Sequence, residues 1–107
     1  MKIVKVKEFS KYPGPRYAAL GDSSGEVFRD TVLIPALAEN DSVGVDFDGV
    51  YGYGSSFLEE AFGGLVRKGI ATNKIIALRD NLIASDDTIK NEVISYINDA
   101  LTVRGGA

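Results

Sequence analysis

The chain contains no cysteine and no histidine. Disulfides, thiolate or imidazole zinc sites, thiol nucleophiles and imidazole acid–base chemistry are therefore all excluded. Long apolar runs are missing too. The opening MKIVKVKEFSKYPGPR lacks the apolar core of a signal peptide, and no later stretch approaches the roughly 20 residues of a membrane helix. A reducing, cytoplasmic setting with no membrane partner is the expectation. Proline is scarce, at three residues, and two of them stand in Pro13-Gly14-Pro15, which predicts a turn.

What is present is ordinary for a folded protein. With 107 residues, 45% apolar and 25% charged, the chain has room for one domain over 1–107 and one core. The net charge of −3 conceals an asymmetry. Residues 1–16 hold four lysines and one arginine against Glu8, whereas residues 17–64 hold nine acids against Arg29. An acidic middle argues against nucleic acid as a partner, which requires a basic face. The basic start reads as the solvated face of a strand whose lysines guard an edge.

Along the chain, KIVKVKEF alternates as a half-buried strand does, and RYAAL after the turn predicts a short second strand antiparallel to it. GDSSGEVFRDTVLIPALAEN predicts a helix, with Ser23 and Glu26 at capping-box spacing and Pro35 placed to kink or restart it. DSVGVDFDGV alternates again, with Val43, Val45 and Phe47 on one face and Asp46 and Asp48 on the other. SSFLEEAFGGLVRKG predicts a second helix, with Ser56 and Glu59 as its capping box and an apolar stripe from Phe57 to Val66. NKIIALRD predicts a buried strand. SDDTIKNEVISYINDALTV predicts a last helix, capped by Ser85 and closed by RGGA. The order β-β-α-β-α-β-α makes an α/β fold, a small mixed sheet of about four strands covered by helices.

Parallel strands bring GDSSGE, GVYGYGSS and RDNLIASDD to one edge, where open α/β sheets bind ligands. GVYGYGSS places Gly49, Gly52 and Gly54 before Ser55 and Ser56 but lacks the lysine of a phosphate-binding P-loop and the spacing of a dinucleotide fingerprint. Three readings stand. The loop and helix of residues 49–62 bind a protein partner; or the edge binds a small anion or nucleotide through Arg16, Ser23, Ser24, Ser55 and Ser56; or Asp22, Asp46 and Asp48 hold a metal for an enzyme. The first is favoured, with no cofactor and no catalytic residue, because no nucleophile–base pair is available and Glu59 and Glu60 diverge on a helix.

The blocks PGPR, GDSSGEVFRD, IPAL and GSSFLEEAFGGLV, in this order around VGVDFDGV, resemble the STAS-like domain family of bacteria and phage, whose function is unknown. Through it the chain is distantly similar to the STAS domains of anti-sigma factor antagonists. The resemblance implies a non-catalytic regulatory domain whose partner is a regulatory protein such as a histidine-kinase-like ATPase. By position it places Ser55 at the phosphorylated serine, Ser56 at the serine or threonine after it, and Leu58 at the loop leucine. Gly54 and Phe57 depart from the antagonists, which carry aspartate and glycine there.

Overall fold

A computed structural model describes residues 1–105. Gly106 and Ala107, the end of the expected RGGA terminus, lie outside the described residues. Strand β1 (Lys2–Lys5) runs directly into a single helical turn, α1 (Val6–Phe9). Helix α2 is continuous through Gly25–Phe28, a π-helical turn at Arg29–Leu33, and Ile34–Glu39. Strand β2 (Val43–Asp46) leads to helix α3, built from Ser55–Leu58, a second π-helical turn at Glu59–Gly63, and Gly64–Arg67. Helix α4 (Thr72–Arg79), strand β3 (Leu82–Ile83) and helix α5 (Asp87–Arg104) complete the chain.

The sheet has three strands in the order β1-β2-β3, and every pairing is parallel. The expected four-stranded mixed sheet is therefore wrong in two places. RYAAL is no strand: its end forms a 3-10 turn (Ala18–Leu20), and residues 14–16 lie against the start of α2. The Gly14 amide donates to Ser23, and the carbonyls of Pro15 and Arg16 accept from Gly25 and Glu26. With Arg16 bonded to Glu26 and Leu20 turned back onto Tyr17, RYAAL keeps no extended stretch to lay beside β1.

NKIIALRD is a helix. Its buried residues, Ile75 and Leu78, are three apart, a helical spacing that a short apolar run also permits in a strand. The strand is displaced to Leu82–Ile83, and the path from β2 to β3 passes through both α3 and α4.

The core is formed by Val4, Val6, Val43, Val45 and Phe47 from the sheet side and by Phe28, Phe57, Phe62, Leu65, Ile75, Leu78, Val93 and Ile97 from the helices. Phe28 packs on Phe57 and Phe62, with ring centroids 5.6 and 6.3 Å apart. On α2, Phe28 and Leu37 are buried, while Val27 and Ile34 are half-buried. The π-helical turn of α2 ends just before Pro35, where the Ile34 amide reaches back to the Arg29 carbonyl. This widening absorbs the donor that Pro35 lacks, without a break in the helix.

Candidate functional site

The edge that receives the C-terminal ends of the strands is shaped by Asp46, Asp48 and Gly49. The Asp46 carboxylate accepts from the Asp48 amide at 2.9 Å. The Asp48 carboxylate in turn accepts from the Ser85 amide at 2.8 Å and from its hydroxyl at 2.9 Å. Asp48 thus ties the loop after β2 to the loop after β3, and Ser85 is its partner instead of the cap of α5. That cap is Asp86, which accepts from the Thr88 amide at 2.9 Å. Among the described residues no three acids converge on a common metal position.

Gly49 alone among the three loop glycines has a positive φ, at 85°, so it is the one that turns the chain. Gly52 faces open space, and Gly54 is the extended residue before α3. Tyr53 folds back over the loop and donates to the Phe47 carbonyl at 2.6 Å. Burial, reinforced by Asp46 and Asp48, pushes its phenol well above the ordinary range. Beside it lies a cleft of about 240 Å³ lined by residues 47–53, Ala84, Ser85, Asp86 and Ile89. Ligand pockets typically span roughly 300–1,000 Å³. This cleft is smaller, and its charged walls, Asp48 and Asp86, repel anions.

Ser55 and Ser56 begin α3 and are exposed. Neither caps it: Gly54 is the N-cap residue and supplies no side chain, so the expected Ser56–Glu59 capping box is not formed. Phe57 and Leu58 are fully buried, where they anchor the loop to the core. On the neighbouring α5, Tyr96 donates to Glu92 at 2.6 Å. Glu92 holds the Tyr96 phenol above its ordinary pKa, and the Ser55 hydroxyl acts in the opposite direction. Tyr96 was not among the candidate site residues read from the sequence. The i, i+4 spacing of Glu92 and Tyr96 was the available signal for this pair.

The remaining candidates do not gather into an anion site. Ser24, not Ser23, caps α2: its hydroxyl accepts from the Val27 amide at 3.1 Å, and the side chain is buried. Ser23 is half-buried and uses its carbonyl on Gly14. Glu26, expected to close a box with Ser23, accepts from the Ala18 amide instead. Arg16 donates to Glu59 at 2.6 Å and to Glu60 at 3.2 Å, so its charge is already engaged. Asp22, the third acid of the metal reading, is exposed.

Arg16 belongs to a larger charge network centred on the two π-helical turns. Arg29 from α2 meets Glu60 from α3 at 2.5 Å and Asp30 at 2.8 Å. Glu59 also pairs with Arg67 at 2.8 Å. The helices can approach because they present glycines to one another. A side chain on Gly25 would strike the Phe57 carbonyl, and one on Gly64 would lie 2.7 Å from the Arg29 guanidinium. Among the described residues every buried side-chain polar atom has a partner.

A wider groove of about 460 Å³ lies between α3 and α5, lined by residues that include Glu59, Val66, Arg67, Ala100, Val103 and Arg104. Three of its charges are engaged internally, Glu59 and Arg67 with each other and Arg104 by the carbonyls of Val66 and Ile70. No helix among the described residues is long and apolar enough to cross a membrane.

No curated protein and no solved structure matches the chain. A family model described as a STAS-like domain of unknown function (DUF4325) matches residues 24–81, more than half of the chain, from the N-cap of α2 to the threshold of β3. The sequence blocks and this match agree: the chain belongs to the STAS-like DUF4325 family.

Proposed function

We propose that the chain is a regulatory interaction domain that receives a protein partner on the loop and helix of residues 49–62. The observation that supports this best is the exposed stack of Tyr12 on Tyr51 at that loop. The two rings lie within 8° of parallel with centroids 4.8 Å apart, yet the residues are 70% and 74% exposed. Tyr51 is also held by its amide, which donates to the Lys11 carbonyl at 3.0 Å. Tyrosines pinned in this way offer broad amphipathic contact area at little entropic cost, and for that reason the residue is enriched at interfaces.

Gly52, Gly54, Ser55 and Ser56 continue the exposed surface with little side-chain bulk, which leaves the backbone open to close approach. Phe57 and Leu58 serve the surface indirectly, by fixing where the loop leaves the core. The partner is a regulatory protein, and the resemblance to anti-sigma factor antagonists makes a histidine-kinase-like ATPase the first candidate. Phosphorylation of Ser55 would add nearly two negative charges beside Tyr96 and Glu92, at the centre of the proposed surface.

A photo-crosslinking residue placed at Tyr51 and, as a control, at exposed Asp41 tests the reading in the native host. The expected result is one discrete protein adduct from position 51 and none from position 41, with the adduct reduced at least ten-fold by Ser55→Glu. Equal adducts from the two positions, or none from position 51, would remove the proposed surface. An adduct indifferent to Ser55→Glu would remove the switch alone.

A further inference from the structure

Among the described residues, no strand covers the outer side of β1. The Lys2 amide donates to the Ser42 carbonyl, and Lys2 pairs with Val43, Ile3 with Gly44, Val4 with Val45 and Lys5 with Asp46. In a parallel ladder only alternate residues turn their amides toward a given neighbour. Lys2 and Val4 therefore face β2, and the amides of Ile3 and Lys5 face away from it, where no described strand stands. RYAAL, the stretch that the sequence offered for this position, forms a 3-10 turn at Ala18–Leu20, and its Arg16 is engaged at α2.

Alongside the bare edge runs a groove of about 310 Å³ lined by Lys2, Ile3, Val4, Lys5, Glu8, Phe9 and Val32. Its floor is apolar and its rim carries two exposed lysines against one acid. Groove and edge together have the two parts of a strand-addition site: main-chain donors for affinity, and a trough for alternate side chains.

We propose that this edge binds an extended segment of a partner protein that carries acidic residues alternating with apolar ones. Lys2 and Lys5 lie on opposite faces of β1, so the alternating acids meet Lys5 while the apolar residues enter the trough beside Val4, and Lys2 meets an acid at the end of the segment. The same lysines disfavour a second copy of this chain. A second copy would bring the same exposed lysines to a shared edge, and charged side chains on an edge strand, lysine above all, guard it against self-pairing. This surface is separate from the Tyr12–Tyr51 stack, so it stands or falls independently of the interaction proposed there.

The test is selection from a random twelve-residue peptide display library on the wild-type chain, with Lys2→Glu/Lys5→Glu protein for counter-selection. Both lysines are exposed, so an unchanged thermal midpoint is expected of the double variant. Selected peptides should alternate acids with apolar residues. Added to the isotope-labelled wild-type protein, they should slow hydrogen exchange of the Ile3 and Lys5 amides at least ten-fold. They should bind the double variant at least ten-fold more weakly. Peptides without an excess of acids, or binding that leaves those two amides exchanging as in the free protein, would overturn the proposal. So would sedimentation showing a dimer of the free chain in which the same amides are already protected. If the double variant fails to fold, the exchange measurement on wild-type protein decides alone.

Discussion

The Arg29 guanidinium and the Glu60 carboxylate meet at 2.5 Å between the two π-helical turns, with 3% and 11% of their side chains exposed. A charge pair so withdrawn from water costs much to desolvate, and its attraction offsets that cost only while both members remain. Arg29 is further satisfied by Asp30, and Glu60 by Arg16, so the pair is the hub that fastens α2, α3 and the segment before α2 together. Glu60→Leu should destabilise the fold by about 3–5 kcal/mol, because it strands a buried guanidinium. The double variant Arg29→Met/Glu60→Leu should lose much less than the sum of the single changes. Urea-denaturation midpoints of the three variants check this.

Stability should fall in acid through Glu59. Hydrogen bonds from Arg67 first, and then from Arg16, hold its carboxyl below the ordinary value of 4.5 despite burial acting the other way. The folded state thus binds fewer protons than the unfolded state. The stabilisation is complete above pH 4.5 and is lost as pH falls through the depressed folded value. Asp30, lowered by Arg29, adds to the same acid limb. Glu59→Gln should flatten that limb without abolishing it, as read from urea midpoints between pH 3 and pH 7.

Two glycines should respond oppositely to alanine. Gly25→Ala sets a methyl against the Phe57 carbonyl and within 3.1 Å of Glu60 Cβ, so it should cost about 1–3 kcal/mol. Gly52→Ala meets nothing within 4 Å and requires no positive φ, so it should be neutral or stabilising by up to about 1 kcal/mol. Thermal unfolding of the two variants separates a packing glycine from a merely exposed one.

Capping should follow the geometry and not the sequence pattern. Ser24→Ala removes the acceptor of the Val27 amide and should cost about 0.5–2 kcal/mol. Ser56→Ala removes no cap and should shift the denaturation midpoint little. A larger loss at Ser56 than at Ser24 would show that α3 begins differently from the description above.

Local signals were legible wherever chemistry acts over a few residues. The alternation of Val43, Val45 and Phe47 identified β2, and the apolar stripe of α3 is buried throughout Phe57–Val66 except at Glu59. The end of α3 was also legible in RKG: Gly69, with φ at 80°, lets its own amide reach Val66 and that of Ile70 reach Leu65, which closes the helix. The exposed place of Ser55 at the start of α3 followed from the glycine-rich approach.

Other features depended on distant partners. Ile75 and Leu78 suit a strand or a helix equally, and only the surface they cover selects the helix. Ser23 and Ser24 both precede α2 at usable spacing, and the contact of residues 14–16 with that helix decides which one caps. Arg16, Arg29, Glu59 and Glu60 appear in the sequence as separated charges of opposite sign. What the sequence by itself determined was the α/β class, the core face of each principal helix and the loop that begins α3, because periodicity and backbone stereochemistry are local properties. The parallel three-stranded sheet, the bare edge of β1 and the pairing of buried charges were decided by tertiary structure alone. Each depends on which surfaces meet across 30 or more residues, and the close helix approach that Gly25 and Gly64 permit is what brings Arg29 onto Glu60.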